Sequence, residues 1–209
     1  VVYVCNNTKD TIISLTIDGK LPFVEANDIK FPNYWINDTN NANKRDKYGN
    51  EFAPKQVLYK DNISVLARDY SGAYEHPYKF ALTAGKHEIE ILVLEGHLSL
   101  QECWLSAPED VQNYVKPSTE ILSVNPIVIE GENAELKNNR SLIPLSNQTS
   151  VMVNPSDPVV SRLNYIGGSN SGSPGTELTW SFTVEKEGYY SIGFLFRQNS
   201  AVGSVAFRH

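Results

Sequence analysis

The chain has 209 residues, a formal net charge of -6 and a pI near 5.2, with 41% hydrophobic and 20% charged residues. That length holds one large domain or two smaller modules, and either can bury a sizeable core. With no clustered basic stretch, the acidic balance argues against nucleic acid as a partner and does not favour an anionic membrane. No apolar run is long enough to cross a bilayer, so no membrane insertion is expected. Cys5 and Cys103 are too few for a disulfide scaffold and are expected as buried thiols. His76, His87, His97 and His209 are scattered without any zinc-site spacing.

In chain order, Val1 to Val4 predicts a short strand, and the chain opens on Val rather than Met, which fits a removed leader or a piece of something longer. Thr11 to Ile17 alternates Thr11, Ile13, Leu15 and Ile17 against Ile12, Ser14 and Thr16, the period of a strand with one face buried. Asp18-Gly19 ends it as a turn pair. The segment KLPFVEANDIKFP predicts one helical turn before a strand around Ile29 to Phe31. Residues 33 to 56 are dense in Asn, Asp and Lys but carry Tyr34, Trp35, Tyr48 and Phe52. Two readings are open for so long a polar loop: an insertion pinned by its aromatics, or a ligand loop.

Strands are expected at Gln56 to Tyr59 and Ser64 to Ala67, followed by a second polar-aromatic loop containing Tyr70. Tyr78 to Val93 reads as a hairpin about Ala84-Gly85, and Leu98 to Leu105 as one more strand. Residues 117 to 126 form the expected linker, with Lys116 to Thr119 its best candidate stretch. Beyond it, the segment from Asn125 reads as an edge strand in which Glu130 and Glu132 share a side, a spacing open either to a hard cation or to plain solvent-facing carboxylates. Thr176 to Phe196 gives the clearest pattern. Leu178, Trp180, Phe182 and Val184 alternate before the EKEG turn, and Tyr190, Ile192, Phe194 and Phe196 alternate after it, predicting a hairpin with Trp180 in the core.

Three segments together, IEGENAEL, LNYIGG and PGTELTWSFTVEKEGYYSIGFLFRQN, resemble the jelly-roll carbohydrate-binding modules of the galactose-binding-like superfamily. The likeness is closest to modules carried by bacterial extracellular sugar-transport substrate-binding proteins and polysaccharide-degrading enzymes. LTIDGKLPFVEANDIKFP and PYKFALTAGKHEIEILVLEG resemble further strands of the same module, but here they come first. The resemblance therefore implies an all-β antiparallel β-sandwich assembled in permuted order, with 1–116 as the C-terminal half and 127–209 as the N-terminal half. Because Val1 to Leu15 and Ile192 to His209 look like copies of one hairpin, the chain reads either as a window cut from tandem modules or as a circular permutation. Each half alone would expose an apolar edge, so pairing within the chain is expected, with strand exchange with a second chain as the alternative.

The same resemblance implies non-catalytic binding of a polysaccharide or oligosaccharide at an extracellular location. Candidate ligand-binding residues are Asn164 and Tyr165 in the LNYIGG loop and Arg197, Gln198 and Asn199 after the following strand, with Tyr34, Trp35 and Tyr70 from the polar-aromatic loops. Glu130 and Glu132 match the position of carboxylates that help hold a structural calcium ion in related modules. No enzyme is expected: no two carboxylates pair across a recognisable cleft, and no nucleophile motif is present. A spacer or adhesion repeat is the other non-catalytic reading. Five N-x-S/T sequons, at Asn6, Asn37, Asn62, Asn139 and Asn147, are compatible with secretion.

Overall fold

Residues 1–5, 8–41, 44–108, 113–116, 125–169 and 171–197 are described by a computed structural model. In chain order the strands are β1 (Val2–Val4), β2 (Thr11–Ile17), β3 (Ile29–Phe31), β4 (Trp35–Asn37), β5 (Gln56–Leu58), β6 (Asn62–Ser64), β7 (Ile89–Glu95), β8 (Ser99–Glu102), β9 (Leu136–Lys137), β10 (Ile143–Ser146), β11 (Leu163–Gly167) and β12 (Leu178–Thr179). Every pairing is antiparallel. The helical segments among the described residues are single 3-10 turns at Val24–Asn27, Thr39–Asn41 and Gly131–Asn133, and no helix there is long and apolar enough to cross a membrane. The fold is all-β and sandwich-like.

The chain divides into two compact units, Val1–Asp110 with Val128–Phe182 and Val111–Ile127 with Thr183–His209. All the described strands lie in the first. There, β6-β1-β8 and β3-β2-β7 form two three-stranded sheets. Tyr3 and Ile63 of one and Ile13, Ile29 and Phe31 of the other are buried in a single cluster. The Tyr3 and Phe31 rings lie 5.2 Å apart, and the Tyr3 hydroxyl donates to the Pro32 carbonyl at 2.7 Å, so the core is tied as well as filled.

β2 forms where expected because its β-branched residues suit a pleated surface, and Ile13, with Leu15 packed beside it, faces the core. Asp18 and Gly19, at φ 52 and 69, turn the chain, and the helical turn before β3 is also observed. The crossing from sheet to sheet is tight at one place. Gly96, between β7 and β8, has φ +76, and a Cβ there would sit 2.5 Å from the Asp10 carbonyl oxygen. Only glycine fits such an approach.

A third sheet, β12-β9-β4-β5, joins strands from both sides of residue 116, with Trp35 opposite Lys137. β10 and β11 form a fourth. Residues 33 to 56 are thus not one long loop: β4 lies inside them, and their polar groups do the pinning. Glu51 accepts from Arg45 (2.7 Å), Arg162 (3.1 Å) and the Leu163 amide (2.9 Å), while Tyr48 and Phe52 stay exposed.

Several expected strands are absent. The Thr176 to Phe196 hairpin reduces to β12, and residues 180–197 carry no strand, because alternation makes a strand only where another backbone edge accepts its hydrogen bonds. Tyr78 to Leu82 and Ile127 to Ile129 likewise lack strand pairing, and Ser64 to Ala67 is replaced by β6 three positions earlier at its end. In the second unit the described residues hold no strand; Phe194 and Ile192 are exposed, and the Tyr190 hydroxyl donates to the Lys186 carbonyl at 2.7 Å. Residues 117–124 of the expected linker lie outside the described residues. Both cysteines are free thiols, with Cys5 buried as expected and Cys103 exposed instead.

Candidate functional site

A cleft of about 380 Å³ opens between β6, an edge of the first sheet, and β12, an edge of the third. Its apolar lining comes from Ile63, Val65, Leu136 and Leu178, and its polar lining from Asn62, Ser64, Glu177 and Thr179, together with Tyr34 and Tyr59. Strand alternation produces this division. In β6 the Ile63 side chain turns to the core while Asn62 and Ser64 face outward.

Glu177 is the one carboxylate in the lining, and it is committed. Its Oε2 accepts from the Tyr34 hydroxyl at 2.5 Å and its Oε1 from Arg68 Nη1 at 3.3 Å. Burial pushes the Tyr34 phenol far up, and its hydrogen bond to Glu177 raises it further, so Tyr34 stays a neutral donor at any physiological pH. Tyr70 stands behind this pair. The Arg68 guanidinium lies 5.9 Å from its ring centroid, its hydroxyl is buried without a hydrogen bond of good geometry, and burial followed by the Glu177 charge pushes its pKa up to about 12. On the cleft side this leaves a carboxylate already bonded to a phenol and paired with a guanidinium. A second carboxylate facing Glu177 across the cleft, as hydrolysis of a glycosidic bond requires, is not among the lining residues.

Of the expected site residues in the first unit, the structure brings Tyr34 and Tyr70 together beside Glu177. Tyr34 reaches the cleft, but through its hydroxyl: the residue is 4% exposed, not an open ring on a loop. Trp35 is buried too, with the Arg140 guanidinium 5.2 Å from its ring centroid, so it packs instead of presenting a face to solvent. Tyr34, just before β4, packs in the main core cluster, while Trp35 lies on β4 opposite Lys137. Asn164 is buried on β11, where its side chain accepts from the Asn147 amide and donates to the Asn147 and Pro155 carbonyls. That leaves it a loop clamp. Tyr165, its neighbour, is 38% exposed. Arg197 belongs to the second unit, and Gln198 and Asn199 lie outside the described residues. Trp180 is half-buried, and its indole N–H donates to the Gly131 carbonyl at 3.3 Å.

Glu130 and Glu132 do not share the side of a strand, because Glu132 lies in the 3-10 turn that Glu130 precedes. Glu130 Oε1 accepts from Asn154 at 2.8 Å. Glu132 Oε2 is buried without a partner, and burial, then the nearby Glu130 and Glu51 charges, raises its pKa. An orphaned buried carboxylate oxygen beside a second carboxylate fits a hard cation. No cluster of three or more His, Cys, Asp or Glu suited to a metal occurs among the described residues, so main-chain or amide oxygens would have to complete the shell.

Of the cleft residues, sequence reasoning singled out Tyr34 alone. Asn62 and Ser64 sit in a short strand that reads as unremarkable, and Glu177 as one acid among many. No family model matches the chain, and no curated protein or solved structure matches it.

Proposed function

We propose that this chain is a non-catalytic carbohydrate-binding module of an extracellular protein, and that the cleft between β6 and β12 takes the sugar. The observation that supports this reading is that the lining of the cleft joins apolar side chains, Ile63, Val65, Leu136 and Leu178, to neutral polar ones, Asn62, Ser64 and Thr179. A pyranose is built the same way: its C–H faces pack on apolar and aromatic surface while its hydroxyls exchange hydrogen bonds with amide and hydroxyl groups. Glu177, held between Tyr34 and Arg68, serves as an acceptor for a sugar hydroxyl and not as a general acid. In this reading the module is a jelly roll with its halves in permuted order, Glu130 and Glu132 belong to a structural calcium site, and strand exchange between chains is the alternative mode of pairing.

Affinity electrophoresis and glycan arrays test the reading. Retention on a polysaccharide is expected, weakened about tenfold by Asn62→Ala or Ser64→Ala, roughly one hydrogen bond to a ligand hydroxyl each. Retention lost in Tyr165→Ala but not in those two moves the site to β11. Binding to no glycan overturns the reading in favour of a spacer or adhesion repeat, and release of sugar overturns it in favour of an enzyme.

A further inference from the structure

Among the described residues, the bulkiest side chain with no solvent exposure is a lysine. Lys137, on β9, is 0% exposed, and none of the ion pairs among the described residues includes it. Its Nζ carries up to three protons but makes one hydrogen bond, 2.8 Å to Asn37 Oδ1. A buried ammonium without a counter-ion is among the costliest arrangements in a protein interior, and burial alone pulls this one down to about pH 8. Near neutral pH roughly one such amine in ten is unprotonated and nucleophilic, far more than for a lysine in water.

The acceptor is equally unusual. Asn37 Oδ1 also receives Gln56 Nε2 at 2.8 Å, so two N–H groups converge on one amide oxygen and draw electron density from its carbon. The sheet register brings them together: Trp35 stands opposite Lys137, and Asn37, two residues along β4, stands opposite Gln56 on β5. Asn37 and Lys137 are thus diagonal neighbours on adjacent strands, within reach for a side chain as long as lysine. Gln56 Oε1 is buried without a partner, which leaves the cluster with an unmet acceptor as well as unmet donors.

We propose that Lys137 and Asn37 react to form a side-chain amide cross-link between β9 and β4. The neutral Nζ attacks Asn37 Cγ, the developing negative charge on Oδ1 is held by Gln56 Nε2, and the bond from Cγ to Nδ2 breaks. Nδ2 leaves as ammonia, taking the proton that Nζ gives up, so the atoms balance and no oxidant, metal or cofactor is consumed. Fixed proximity of amine and amide supplies what a free lysine in water lacks. The product removes the buried charge and ties together positions 100 residues apart in the chain.

The mass of the denatured, unglycosylated full chain tests this without any variant. The expected result is a protein one ammonia lighter than its sequence, giving on digestion a branched peptide joining residues 37 and 137, with no tryptic cleavage after Lys137. Lys137→Arg restores the full mass, since a guanidinium cannot take part. A wild-type chain of full sequence mass overturns the proposal, as does an ammonia loss that maps to any other residue.

Discussion

Replacing Glu51 with Ala removes the group that fastens residues 44–52 to the start of β11. Its carboxylate is 13% exposed and accepts three hydrogen bonds. The Leu163 amide, left without an acceptor, costs about 1–3 kcal/mol. The Arg162 pair adds about 1 kcal/mol, and the Arg45 pair, whose arginine is 54% exposed, adds at most about 1 kcal/mol. The expected loss is about 2–5 kcal/mol, read as a lower urea midpoint at unchanged slope. Glu51→Gln, which keeps an acceptor for Leu163, is expected to lose roughly half as much.

The pH dependence follows from the same contacts. Burial works to raise the Glu51 pKa, but the Leu163 amide and the two guanidinium groups outweigh it, and the net shift is downward. A carboxylate lowered in the folded state contributes stability that is complete above its unfolded value of about 4.3 and fades as pH falls through the folded value. The gap between wild type and Glu51→Ala should therefore be constant near neutrality and close in acid. A difference under about 0.5 kcal/mol at pH 7, or a gap that persists fully in acid, refutes the reasoning.

Gly96→Ala is expected to destabilise by at least about 2 kcal/mol, combining a positive φ with a Cβ 2.5 Å from the Asp10 carbonyl, because the Thr11 hydroxyl bond to His97 O at 2.8 Å holds the two segments together. Gly19→Ala, where nothing lies within 4 Å, serves as the control and should lose only about 1 kcal/mol in the same denaturation assay. Added calcium is expected to raise the melting temperature in wild type and not in Glu132→Gln; an unchanged melting temperature with calcium or chelator removes the proposed cation at the Glu132 oxygen.

Local chemistry sufficed for part of this chain. Alternation and β-branching in Thr11 to Ile17, the Asp18-Gly19 turn and the single helical turn before Ile29 are each decided within a few residues, and each is observed. The same period-2 pattern in Phe182 to Phe196 makes no strand, since alternation marks the capacity to bury a face and the partner edge is a property of the whole chain. Burial of Tyr34, Trp35 and Lys137 was hidden for the same reason: all three lie in polar stretches, and only the pairing of β4 with β9, from distant parts of the chain, takes them out of water. The cleft, too, exists only after β6 and β12 are brought close, because its lining comes from residues 34, 59, 62–65, 136 and 177–179. Composition and period select an all-β chain; which edges meet, and which polar groups lose their water, is settled by long-range pairing that no local window contains.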